Sequence, residues 1–431
     1  MTAGSRIGRA TRHATSPIEP RSSGTDVERP ATASGGEGSI PLRAPVLRTK
    51  ITIVSMNLST NCTNRCLRLA QALQSRYDVE IVGTTFGVGA NWGRGLWPPL
   101  EGMRDVAIRS VPGDYLPRYL ASAWKLLKAM DGDVIIACKP RAPSLGIAIV
   151  KKLLSGKPVI LDIDDDEIAQ TLPGRRASWT KQLASVGGYL WTRLIHPLHR
   201  VVDAKFVVSR NFLSRYGGVI VPHPMSPVEL DPMRFDREAT RAGFGLTEAD
   251  VVVGFVGTPG RQKGTDLLVS LFDRIDDPRL KLMIVGADTE DDDIVAMRRK
   301  AGHRLLVLPQ QPLSKLPEIL TAMDIIALPQ RATEETWGQM PAKLTDAMAM
   351  GKPIVAADRA DIASYLAEGR GLTFAAENVE DFASRIRWLL EHPAARAAMG
   401  AAARDYFLQH LTFDAVAAKM VPVIDRLTVG R

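Results

Sequence analysis

The 431-residue sequence holds only three cysteines, and it contains no apolar run near the ~18–20 residues that cross a bilayer. Cys62, Cys66 and Cys138 are too few and odd in number for a disulfide framework and suit a reducing compartment. Cys62 and Cys66 have no further ligands nearby, which disfavours a zinc or cluster site. The N-terminus carries basic residues but no apolar segment of a secretory signal, so a cytoplasmic location is expected. Residues 1–48 lack aromatics and are dominated by Ser, Thr, Gly, Pro, Ala and Arg, which predicts a disordered tail. Glu19, Asp26, Glu28 and Glu37 interrupt its likeness to a transit peptide.

What is present is a globular composition, 45% hydrophobic and 24% charged, with a net charge of +8. That charge is uneven. Residues 1–220 hold 30 Lys and Arg against 17 Asp and Glu, a net +13, which leaves −5 for residues 221–431. From Lys50 onward, buried-strand runs such as Ile51–Val54 and Val159–Ile163 alternate with amphipathic helical stretches. The cadence restarts at Val251–Val256 after an irregular stretch beyond Pro222 and Pro224. The expectation is an α/β protein of two domains with parallel sheets, joined within 220–248.

Two segments carry chemistry. The first, Gly257-Thr258-Pro259-Gly260-Arg261-Gln262-Lys263-Gly264-Thr265, is a Gly-rich basic loop between a strand and a helix, where backbone N–H groups and cations can meet an anion. It has neither the Gly-Lys-Ser/Thr order of a Walker loop nor Gly-x-Gly-x-x-Gly, which disfavours a plain nucleoside triphosphatase or a dinucleotide enzyme. The alternative is an ordinary turn with solvated cations. The second segment, Trp337 to Val355, sets Lys343 and Asp346 three apart on one helix face, a cation for phosphate or base and a carboxylate for a ribose diol. Its bland counterpart is a surface ion pair.

Together these segments resemble the retaining GT-B glycosyltransferases of family 4, over nearly all of the second domain and more weakly over the first. The loop resembles the family's Gly-Arg-x-x-x-x-Lys-Gly, and Pro341-Ala342-Lys343-Leu344-Thr345-Asp346-Ala347-Met348-Ala349-Met350-Gly351-Lys352-Pro353 resembles its Pro-x-Lys-Leu-x-Glu-x-Met-Ala-x-Gly-Lys-Pro. The resemblance implies two Rossmann-like α/β domains facing across a cleft. After the tail these would be an acceptor domain over 49–224 and a nucleotide-sugar donor domain over 225–411, with a final helix over 412–431 packing back toward the first.

It also implies transfer from a nucleotide-diphosphate sugar to an acceptor hydroxyl with retention of configuration. No cofactor is expected, and cations stand in for a metal. By the same resemblance Lys263 contacts the donor diphosphate, Lys343 sits beside the donor, and Asp346 replaces the ribose-binding glutamate. Gly257, Thr258, Pro259, Gly260, Gly264 and Leu344 line the donor, and Glu335 or its neighbour Glu334 faces the sugar. Thr258 stands where the family usually has a phosphate-binding arginine, so Arg261 is the expected substitute. The family's glutamate pair seven residues apart is not intact.

In the first half, Asp162 to Glu167 sits at the carboxyl end of a buried strand, where open α/β sheets bind ligands. Asp164 and Asp165 take the place of a His-Asp pair in many relatives and are expected to orient the acceptor hydroxyl. The crowding of acids leaves a metal site as a weaker alternative. Asn57, Ser59, Thr60 and Asn61 are expected to contact the acceptor, which would be a glycan, a lipid-linked molecule or a small molecule. Residues 175–200 form a basic stripe bearing Trp179 and several Leu, which suits either an anionic membrane surface or ordinary core packing. Nucleic acid is not expected, because the basic half lacks a recognisable module. The rival functions are a GT-B-fold sugar-nucleotide epimerase and a catalytically weak sugar-nucleotide-binding partner protein.

Overall fold

Short apolar runs, several rich in β-branched residues, become the buried strands of two parallel sheets, and the amphipathic stretches between them become covering helices. The computed structural model describes residues 48–86, 95–100, 103–172 and 178–429. The tail expected over 1–48 therefore lies, apart from Arg48, outside the described residues, as do Arg175 and Arg176.

The first sheet contains β1 (Lys50–Ser55), β2 (Asp78–Thr85), β3 (Ala107–Pro112), β4 (Val134–Cys138), β5 (Val159–Ile163), β6 (Ala204–Val207) and β7 (Val219–Ile220), in the order β3-β2-β1-β4-β5-β6-β7. The second contains β8 (Val251–Val256), β9 (Leu280–Val285), β10 (Leu305–Leu308), β11 (Ile325–Leu328), β12 (Ile354–Ala357) and β13 (Gly371–Phe374), in the order β10-β9-β8-β11-β12-β13. The α/β class with two parallel sheets is as the sequence implies. Each sheet reverses its strand order once near the middle, between β1 and β4 and between β8 and β11. Crevices for ligands open at such points, beyond the carboxyl ends of the strands.

Three local expectations need correction. The sequence pattern predicts one helix over Asp266–Ile275, and the structure forms a short helix, Thr265–Val269, running into a 3₁₀ turn at Ser270–Asp273. The stripe from Trp179 is two helices, Trp179–Ala184 and Tyr189–Ile195, parted by Gly187 and Gly188 and followed by a 3₁₀ turn, His196–Arg200. Adjacent glycines carry no helical propensity to oppose that break. Strands β3 and β13 also emerge where the sequence pattern suggested none.

The chain passes between the two sheets twice, and the passages touch. The Met225 N–H donates to the Leu411 carbonyl at 3.0 Å, and the Phe413 N–H donates to the Met225 carbonyl at 3.2 Å. Beyond them, helix Phe413–Thr428 buries Val416, Met420 and Ile424 in the core of the first domain. Each such fully buried side chain contributes about 1.5–3 kcal/mol. The Tyr77 hydroxyl donates to Asp425 at 2.6 Å and secures the same helix.

Candidate active site

Two charged groups face each other between the sheets. On the first-domain side, β4 and β5 pair in parallel with Cys138 opposite Asp162, which brings Lys139 to the turn after β5. Lys139 is buried and holds a left-handed backbone, φ 72°, a conformation costly for a side-chain-bearing residue unless its surroundings enforce it. Its ammonium lies 2.8 Å from Asp164, 2.5 Å from Asp165 and 2.7 Å from Glu167. Arg141 pairs with the other oxygen of Glu167 and donates to the Gly187 carbonyl at 2.7 Å.

Burial alone would lower Lys139, but the three carboxylates outweigh it and hold it well above the ordinary lysine range. Burial and the neighbouring acids push Asp164 up to about 7, against the opposing charge of Lys139. Burial would also raise Asp165; the Lys139 charge and hydrogen bond, with Lys263 and Gln339, instead hold it well below the usual carboxylate range. Oxygens of Asp164, Asp165 and Glu167 lie within 4.8 Å of one another, close enough to suggest a metal cluster. The place of the ion is already filled by the Lys139 ammonium, so these residues do not fit a metal.

On the second-domain side, the Gly-rich loop leaves β8. Gly257 has φ 131°, and a Cβ there would lie 2.3 Å from Lys343 Cε, so only glycine admits the lysine over the loop. Gly264, φ 66°, packs so closely that a Cβ would strike the Pro329 carbonyl oxygen at 1.9 Å. Lys263 Nζ donates to Gln339 Oε1 at 2.8 Å, and the Gln339 amide donates to Asp165 across the domain boundary. Burial lowers Lys263, and burial together with the Lys263 charge brings Lys343 down to about 8. Neither ammonium belongs to an ion pair among the described residues. The charge of Glu335 acts on Lys263 from the turn Glu334–Thr336.

Other expected donor residues lie elsewhere. Arg261 is exposed and, with Thr258, Pro259 and Gly260, lines a lateral cavity of about 640 Å³ between the loop and helix Asp292–Ala301. The structure does not bring it to Lys263, because the 3₁₀ turn Arg261–Lys263 sends the two side chains to different places. Leu344 is buried in the core. Asp346 is paired at 2.6 Å with Arg68 from helix Thr63–Leu73 of the first domain, both side chains at least nine-tenths buried. Asn57 and Ser59 shape their own loop: Asn57 Oδ1 accepts from the N–H groups of Ser59 and Phe86, and the Ser59 hydroxyl donates to the Gly95 carbonyl at 2.6 Å. Thr60 contacts Cys62, and Asn61 is exposed.

Sequence reasoning missed Arg65, Arg68, Lys139 and Gln339. Arg65 is buried and forks onto Asp162 at 2.7 and 2.9 Å. The one available signal was a pair of arginines three apart among the apolar residues of a helix, at odds with a purely solvent-facing role. The loop Trp337–Gln339 also closes on helix Arg210–Tyr216: the Ser209 hydroxyl donates to the Gly338 carbonyl at 2.7 Å, and Asn211 to that of Trp337 at 2.6 Å. His223 lies between the domains with its Nδ1 unpartnered, and burial with the charges of Arg65 and Arg68 keeps it well below the ordinary histidine range.

Residues 236–406 match the family described as glycosyl transferases group 1. This part of the chain is similar to that family. A D-inositol 3-phosphate glycosyltransferase from Mycobacteroides abscessus is 34% identical over 163 residues, 36% of this chain and 35% of that protein. A GDP-mannose-dependent monoacylated alpha-(1-6)-phosphatidylinositol monomannoside mannosyltransferase from Corynebacterium glutamicum is 23% identical over 274 residues, 58% and 71%. The chain thus spans about a third to a half of the first curated relatives it matches. Among solved structures, sucrose-phosphate synthase from Thermosynechococcus elongatus superposes with TM-score 0.68 at 17% identity, covering 89% of this chain and 100% of that one. Anabaena HepE in complex with UDP and glucose gives 0.68 at 16%, covering 88% and 100%. These likenesses show that the group 1 segment is one half of a GT-B fold.

Proposed function

We propose that the chain is a glycosyltransferase that moves a sugar from a nucleoside-diphosphate sugar to a hydroxyl of an acceptor held by the first domain. The observation that carries this reading is the pair of half-buried lysines, Lys263 in the Gly-rich loop and Lys343 over it, with no acid paired to either ammonium among the described residues. They form a surplus of positive charge suited to a diphosphate whose charge grows as the sugar departs, the part a metal plays in other transferases. Facing them, Asp164 and Asp165 would orient the attacking hydroxyl. Asp346 would accept the ribose hydroxyls once Arg68 lets go, and Glu335 would face the sugar. Retention of configuration rests on the family resemblance.

The relatives named for inositol phosphate and phosphatidylinositol acceptors support a phosphorylated acceptor, and the +13 charge of residues 1–220 suits one. Domain closure around both substrates would exclude water and limit donor hydrolysis. The test is a coupled assay with uridine, guanosine and adenosine diphosphate sugars, in which nucleoside diphosphate must appear only when acceptor is present. Release without acceptor would favour the sugar-nucleotide epimerase, and donor binding without turnover across a broad acceptor panel would favour a binding protein.

A further inference from the structure

Of the eighteen large apolar side chains exposed among the described residues, thirteen fall between Leu96 and Val201, so this exposure is concentrated on one domain. Most sit on the helices Tyr119–Ala129, Ile147–Ser155, Trp179–Ala184 and Tyr189–Ile195. These helices adjoin. Lys151 Nζ reaches the Leu127 carbonyl at 3.0 Å, the Leu116 N–H donates to the Ala184 carbonyl at 3.0 Å, and a Cβ on Gly146 would lie 3.5 Å from Ile195. The layer presents Leu120, Trp124, Leu153, Leu154, Trp179 and Leu194 to solvent, from 58% to 80% exposed.

The charge carried by these helices has one sign, and of their cations Lys152 alone is in an ion pair among the described residues, with Asp203 at 2.6 Å. The four helices contain no Asp or Glu, while Lys125, Lys128, Lys181 and Arg193 are exposed and in no ion pair among the described residues. The Lys128 ammonium rests 4.9 Å above the Trp124 ring, so cation and aromatic share one spot. A second copy docking here face to face would bring like charges together with no acid between them, which is unfavourable. A broad apolar layer studded with tryptophan and rimmed by unpaired cations matches an anionic lipid surface. The face also joins the candidate site, because Arg141 ties Glu167 to Gly187, in the turn between two of these helices.

We propose that this face docks the protein on an anionic bilayer, setting the acceptor side of the cleft at the lipid surface. If the glycosyltransferase reading holds, on which this last step rests, the acceptor is the headgroup of a membrane-anchored molecule. The test is sedimentation of the full chain with vesicles of phosphatidylcholine alone and of phosphatidylcholine with phosphatidylglycerol in equal parts. Binding to the anionic vesicles is expected, weaker as salt rises. The double change Lys125→Glu with Lys128→Glu should lower partitioning about tenfold or more.

Leu153→Ser with Leu154→Ser should also release the protein while leaving its thermal midpoint and nucleoside diphosphate affinity unchanged, since these side chains face solvent. The vesicle-induced blue shift of tryptophan emission should vanish in Trp124→Phe with Trp179→Phe. Equal binding to neutral vesicles, no binding to either, or a dimer in solution that the leucine changes dissolve would overturn the proposal. Vesicle binding without any nucleotide binding would leave the docking intact and sink only the transferase reading.

Discussion

The two sides of the cleft solve opposite electrostatic problems. On the first-domain side, one lysine is enclosed by three carboxylates, and a second fork, Arg65 on Asp162, lies just beneath. On the second-domain side, two half-buried lysines have between them one neutral partner, the Gln339 amide on Lys263, and no paired acid among the described residues. The first arrangement is complete without a ligand. The second would gain from an anion, and the diphosphate of the proposed donor would supply the missing counter-charge.

That contrast can be broken most forcefully at Lys139. Lys139→Ala removes the cation shared by three acids, leaving Glu167 with Arg141, Asp165 with Gln339 and Asp164 with no cation, and should cost about 3–5 kcal/mol of stability, read from urea unfolding. Lys343→Met should do the reverse to the empty protein, raising its thermal midpoint by removing an unpaired, half-buried cation, while lowering kcat/KM for the donor about a hundredfold or more. If both changes destabilise the protein alike, the two sides are not different in kind.

A pH series sharpens the same point. Burial and the Lys263 charge hold Lys343 near 8, with Asp346, Asp165 and Arg68 also acting on it. The diphosphate binds the ammonium form, so donor affinity should be flat below pH 8 and fall toward tenfold per unit above it. The sign for folding is opposite. Between pH 8 and the ordinary lysine value of 10.5 the unfolded chain keeps a proton that the folded one has lost, so this lysine makes the empty protein more stable as pH rises through that window. A donor affinity that rises above pH 8 would exclude Lys343 from the anion site. Smaller effects are expected elsewhere: Arg68→Ala should loosen the closed arrangement, seen as a larger radius of gyration in solution scattering. Arg261→Ala, on the lateral cavity, should change donor KM by less than about tenfold.

Features governed by near neighbours in the chain were legible from the sequence. The Gly257–Gly264 loop announces itself by glycine and basic residues in eight positions, and Lys343 and Asp346 share a helix because their spacing demands it. Their partners were not legible, since Arg68 lies 278 residues from Asp346 and Gln339 lies 174 from Asp165. Such pairs are set by how two sheets close on each other, which no local period encodes. Arg261 and Lys263 part for a related reason: composition places them side by side, but a 3₁₀ turn, at about 120° per residue, points residues two apart in different directions. The break of the Trp179–Arg200 stripe is written in Gly187-Gly188, although the apolar period runs on across it.

The touching passages at Met225 and Leu411–Phe413 make the second sheet and its helices an insertion into the first domain, which resumes at helix Phe413–Thr428. An inserted module that enters and leaves at one point can be exchanged without moving its host. A transplant of 226–411 from a relative with a different donor preference would therefore change which nucleotide sugar is used and leave acceptor choice where it was. The junction to cut is already marked by two hydrogen bonds.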